Sequence, residues 1–90
     1  MERQILIVSG HVQGVGFRYH VQKIAAGRNL TGFVRNLENG DVYIEIQGET
    51  GVIGEFHQAI RSSIPYATVT EIEIRPMDPI ADEEAFKVKY

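Results

Sequence analysis

Among the 90 residues there is no cysteine and no tryptophan, and only three prolines. Without cysteine the chain has no disulfide framework and no thiolate metal site. Long apolar runs are missing too. The longest, Ile5–Val8, falls far short of a membrane span or a signal-peptide core. Positive charge is not in excess: 9 Lys and Arg face 12 Asp and Glu, a net charge of −3, which argues against a general nucleic-acid binder. Hydrophobic residues, by contrast, make up 43% of the chain, too many for a disordered segment. A chain of 90 residues has room for one domain, spanning 1–90, with one modest core that buries roughly 60–65% of its unfolded surface. These absences lead to the expectation of a soluble cytoplasmic monomer with no export signal and no membrane or nucleic-acid partner. The sequon Asn29-Leu30-Thr31 is coincidental in such a chain.

Hydrophobic periodicity divides the sequence into seven elements. Gln4 to about Gly10 contains Ile5-Leu6-Ile7-Val8, apolar on both faces, and reads as a central strand. Phe17, Val21, Ile24 and Ala25 form one stripe of a helix that stops around Gly27-Arg28-Asn29, where asparagine tolerates the left-handed conformation. Thr31–Asn36 reads as a strand, and Asn39-Gly40 as the hairpin turn into a third strand with Val42, Ile44 and Ile46 on one face. Val52, Phe56, Ala59 and Ile60 give a second amphipathic helix over about Thr50–Ser62. A fourth strand follows over Thr68–Arg75, then a loop holding Pro76, Pro79 and the acidic Asp82-Glu83-Glu84, and a short edge strand over Phe86–Tyr90. The order β-α-β-β-α-β plus a terminal strand predicts an α+β, ferredoxin-like split-βαβ fold, an antiparallel sheet with both helices on one face. That fold hosts enzymes, carriers, regulatory modules and RNA binders, so it does not assign a function.

The first helix has no capping residue. Gly14, Val15 and Gly16 precede Phe17, and none offers the side-chain oxygen that usually satisfies the first helical N–H groups. Glycines allow close backbone approach, and a helix N-terminus favours an anion. Arg18 follows directly, with a planar cationic fork suited to phosphate or carboxylate. The combination reads as an oxyanion site, against the plainer reading of a glycine-rich turn beside a solvent-facing arginine. No Walker Gly-Lys-Ser/Thr tripeptide occurs, and the dinucleotide fingerprint lacks its third glycine. In a split βαβ unit strands one and two run parallel with strand three between them, so Asn36 shares a sheet rim with the glycine loop at roughly 10 Å. Asn36 taken alone is a polar residue that starts a turn.

Gly10-His11-Val12-Gln13-Gly14-Val15-Gly16-Phe17-Arg18 and Gly32-Phe33-Val34-Arg35-Asn36 resemble the two signature motifs of the acylphosphatases, and the similarity extends over essentially the whole chain. The resemblance implies a small hydrolase that splits carboxyl–phosphate mixed anhydrides into carboxylate and inorganic phosphate, with no metal and no cofactor. It implies Arg18 and Asn36 as the catalytic residues, and Val12, Gln13, Gly14, Val15 and Gly16 as the loop whose backbone amides bind the phosphate. Two departures, Phe33 where the family often has Trp or Tyr and Asn29 in place of a helix-ending glycine, avoid the site residues.

The chemistry suits so sparse a set. The leaving carboxylate is already a stable anion near neutral pH, so no general acid is needed. Positioning a water and stabilising phosphoryl charge remain, and those are tasks for amides, an arginine and an asparagine. His11, His20 and His57 show no zinc-motif spacing, and Asp82-Glu83-Glu84 reads as a solvated loop. The Tyr90 carboxylate is a candidate partner for a nearby arginine. Two other readings are an RNA-recognition module, which requires more aromatics on the third strand than Tyr43 alone, and an accessory domain that keeps the catalytic residues without using them.

Overall fold

A computed structural model describes all 90 residues, Met1–Tyr90. The elements are β1 (Glu2–His11), α1 (Phe17–Ala26), β2 (Thr31–Asn36), β3 (Val42–Gly48), α2 (Thr50–Ser62), β4 (Thr68–Met77) and β5 (Phe86–Val88). Five strands form one sheet in the order β4-β1-β3-β2-β5. The first four are antiparallel to their neighbours, which is the ferredoxin-like order. β5 adds to β2 in parallel, so the sheet is mixed rather than antiparallel throughout. The chain leaves β4 at one edge and re-enters as β5 at the other, a crossing that no local pattern encodes.

Register explains which face is buried. Leu6 pairs with Ile44 and Val8 with Val42, while Val34 pairs with Ile44 from the other side. All of these are fully buried, and with Phe17, Val21 and Ala25 of α1 and Ile53, Phe56 and Ile60 of α2 they belong to one hydrophobic cluster. Fully burying such a side chain stabilises by about 1.5–3 kcal/mol, which makes this face the main source of cohesion. Gly10 and Gly32 lie where strands approach too closely for a side chain. A Cβ at Gly10 (φ 128°) would overlap the Thr68 carbonyl, and one at Gly32 (φ 135°) the Glu45 carbonyl.

Pro76, expected in a loop, is instead inside β4, paired with Gln4. β4 is an edge strand, where proline's missing N–H is tolerated. Asn29 does take the left-handed conformation (φ 56°) after α1. The terminal strand ends at Val88, although the Lys89 amide still donates to Val34 O at 2.8 Å.

The face away from the helices carries a polar network. Arg3, 1% exposed, donates to Glu45 Oε1 from Nε and Nη2 (3.0 and 2.7 Å), to Gln47 Oε1 from Nη1 (3.0 Å), and to both Glu83 oxygens (2.7 and 3.1 Å). Gln47 also exchanges hydrogen bonds with the Ile80 backbone. The acidic loop is therefore not simply solvated, because Glu83 is half-buried and fastens the β4–β5 connection across the sheet. Burial pushes the Glu83 carboxyl up, but the hydrogen bonds and charge of Arg3 outweigh this and hold it below the ordinary range. Nearby, burial together with the hydrogen bond to Glu45 raises the Tyr43 phenol.

Candidate active site

The rim where β1 and β2 both end holds a cavity of about 220 Å³. Its polar wall is the turn after β1. Gly14 (φ 77°) and Gly16 (φ 74°) both adopt left-handed backbone, and Gly16 caps α1 without any side-chain hydrogen bond. Helix-start amides therefore lack an internal side-chain acceptor. Gln13 holds the turn from behind, its amide nitrogen donating to the carbonyls of Leu37 and Asp41 at 2.9 and 2.8 Å. These carbonyls belong to the hairpin that begins beside Asn36, so Gln13 locks the turn and the end of β2 into one unit. Val12 anchors the turn in the core at 1% exposed.

Strand alternation aims Asn36. It pairs with Val42, which pairs with Val8, so all three lie in one row across the sheet. Val34, two residues earlier on the same face, is fully buried. Asn36 thus projects toward the helix side at the point where the core opens to solvent. Its Oδ1 is buried and has no hydrogen-bond partner. Buried polar atoms are nearly always satisfied, and an orphan of this kind calls for an explanation.

Arg18, on the first turn of α1, lines the same cavity. Its Nη1 donates to the Lys89 carbonyl at 3.0 Å, and its guanidinium lies 4.6 Å from the centre of the Tyr90 ring. It is the ring of Tyr90, rather than the carboxylate considered from the sequence, that meets the arginine. Of the seven residues marked in the sequence, Val12, Gln13, Gly14, Gly16, Arg18 and Asn36 line the cavity. Val15 does not, and packs half-buried against the core instead. Sequence reasoning did not place Phe17, Tyr19 or Val88 in the lining, and considered Tyr90 only through its carboxylate. Alternation in β5 carried a signal for Val88 and Tyr90, but their place at this rim depends on the parallel register with β2.

The sequence model of the acylphosphatase family matches residues 4–88. The chain belongs to the acylphosphatase family. It is 42% identical over 90 residues to the acylphosphatase of Geobacillus kaustophilus, across 100% of this chain and 96% of that one. The crystal structure of acylphosphatase from Bacillus subtilis is similar with a TM-score of 0.94 and 36% identity over 100% of both chains. A further likeness, to HypF of T. kodakarensis, has a TM-score of 0.88 and 32% identity over 100% of this chain but 12% of that much longer protein. Membership makes hydrolysis of acyl phosphates this chain's activity.

The acylphosphatase signature is thus the turn and helix start that wall the cavity, and the second motif is the strand that ends at Asn36. No three His, Asp or Glu side chains come together as a metal site. His57, on α2, bonds to Gln4 through Nε2 at 2.9 Å, and burial together with the charge of Arg61 lowers its pKa. No helix is long and apolar enough to cross a membrane.

Proposed function

We propose that the backbone amides of Val12–Gly16 and the guanidinium of Arg18 bind the phosphoryl group, and that Asn36 orients the attacking water. The observation that carries this reading is the unpartnered, buried Asn36 Oδ1 in the cavity that Arg18 and the open turn also line. A water accepted there donates one hydrogen to Oδ1 and turns a lone pair toward the phosphorus. Arg18 supplies charge to the phosphoryl oxygens, which matters most as charge redistributes in the transition state.

The P–O bond to the acyl oxygen breaks and the carboxylate leaves without protonation, because it is stable as an anion. Asparagine is no base, so a substrate phosphoryl oxygen takes the proton of the attacking water. The turn, Arg18 and Asn36 together supply every group that this scheme uses. The reaction requires no metal in this reading. Hydrolysis of acetyl phosphate should proceed unchanged in excess EDTA and be inhibited competitively by inorganic phosphate. Activity abolished by EDTA and restored by Mg²⁺ or Zn²⁺ would overturn the scheme.

A further inference from the structure

The cavity is not lined by polar groups alone, because Tyr19, Val88 and Tyr90 stand beside the turn, Arg18 and Asn36. The remaining wall is apolar and aromatic. Val88 is half-buried on β5, while Tyr19 and Tyr90 are 59% and 100% exposed and border the mouth. Large aromatics left in water beside a polar constellation are what a ligand's apolar half would cover. Charge is as informative. Arg18 is the one charged side chain in the lining, and Lys23 is held over the Tyr19 ring at 5.4 Å without entering it. Lys89 likewise directs its ammonium to the Phe33 ring at 4.0 Å, on the opposite face of the sheet.

We propose that Tyr19, Val88 and Tyr90 form an acyl subsite, making this chain selective for acyl phosphates with an aromatic or bulky apolar acyl group. Acetyl phosphate leaves the rings exposed. An acyl group with a second anion finds no second cation, and Arg18 is already committed to the phosphoryl end. This rests on the phosphoryl site described above, since the position of the phosphorus determines which wall the acyl group meets.

The test compares kcat/KM for benzoyl, acetyl and succinyl phosphate in the unaltered protein, Tyr19→Ser, Tyr19→Phe and Tyr19→Lys. Dividing each variant's benzoyl-to-acetyl ratio by that of the unaltered protein cancels the intrinsic reactivities of the anhydrides. Tyr19 is exposed, so its replacement leaves the core intact. The expected result is a benzoyl-to-acetyl ratio about three- to tenfold lower in Tyr19→Ser and retained in Tyr19→Phe. In Tyr19→Lys the succinyl-to-acetyl ratio should rise. Tyr90→Ser provides a second probe from the other side of the mouth. Ratios unmoved in both serine variants, while inorganic phosphate still competes, would overturn the acyl subsite alone. Failure of phosphate to compete with any substrate would instead bring down the phosphoryl site, and the subsite with it.

Discussion

The Arg18 guanidinium is stacked on the Tyr90 ring at 4.6 Å and hydrogen-bonded to the neighbouring Lys89 carbonyl at 3.0 Å. Two residues just beyond β5 therefore set the direction of a side chain on the first turn of α1. An arginine carries several rotatable bonds, and in the proposed phosphoryl-binding role fixing them in advance reduces the entropy cost of binding. The parallel register makes this possible. Gly32 pairs with Phe86 and Val34 with Val88, and two residues beyond that pairing Asn36 and Tyr90 line the same cavity.

Loss of that stack should loosen the arginine without harming the fold, because Tyr90 is fully exposed. An exposed cation–π contact is worth about 0.5–1 kcal/mol. Tyr90→Leu should therefore weaken phosphate binding about two- to fivefold, as measured by calorimetry, while Tyr90→Phe keeps it. A Leu variant with unaltered affinity would show that the stack does not orient Arg18.

The two central side chains should separate by function. Arg18→Gln should weaken phosphate binding and turnover together, and Arg18→Lys should recover little, because a point charge replaces a planar fork. Asn36→Ala should keep near-normal phosphate binding while single-turnover rates fall roughly 10²–10³-fold or more. Neither exchange removes core volume, and circular dichroism serves as the folding control. Wild-type turnover in Asn36→Ala, or phosphate binding lost as severely as in Arg18→Gln, would contradict this division.

The glycines divide by what surrounds them. Gly14 has positive φ but open space around its Cβ direction, so Gly14→Ala should cost only about 1–2 kcal/mol of backbone strain. In the proposed scheme the turn binds the phosphoryl group, so activity should fall more than stability. Gly10→Ala drives a Cβ into the Thr68 carbonyl and should destabilise far more severely. Thermal melts and kcat/KM on both variants check the contrast, which fails if Gly14→Ala is the less stable protein.

Acid should act through the Arg3 network. The folded pKa of Glu83 lies below its ordinary value of 4.5, because Arg3 outweighs the burial that opposes it. The stabilisation is thus fully present above about pH 4.5 and is lost as pH falls through the folded pKa. Glu83→Gln should flatten the acid limb of a stability–pH curve and leave neutral stability less affected than Arg3→Met does. Arg3→Met leaves Glu45 and Glu83 without their cation and should cost about 3–5 kcal/mol. Urea unfolding across pH 3–8 measures both, and an unchanged acid limb in Glu83→Gln would rule out this source.

Much of the architecture was legible from patterns only a few residues long. The alternation of Val42, Ile44 and Ile46 marked β3 as a strand with one apolar face, and Asn39-Gly40 marked its turn, although the burial of Glu45 and Gln47 on the other face was not legible. The helical stripe of Phe17, Val21 and Ala25 placed α1, and the missing side-chain cap ahead of it was legible in Gly14, Val15 and Gly16. Each of these rests on a local period or a backbone preference, which a linear sequence records directly. The pairing of Arg18 with Asn36 was legible as well, because a split βαβ unit brings the ends of strands one and two to one rim.

Other features exist only because distant segments meet. Arg3 looked like an ordinary charged residue at the start of a strand, yet it is buried against Glu45 and Glu83, 42 and 80 positions away. Pro76 reads as a strand breaker until β4 proves to be an edge. The aromatic mouth over Arg18 depends on the chain crossing from one sheet edge to the other and adding β5 in parallel. Those contacts form through long-range packing and hydrogen bonding, which no run of neighbouring residues repeats. The identity of each residue is local, but its burial and its partner belong to the folded whole.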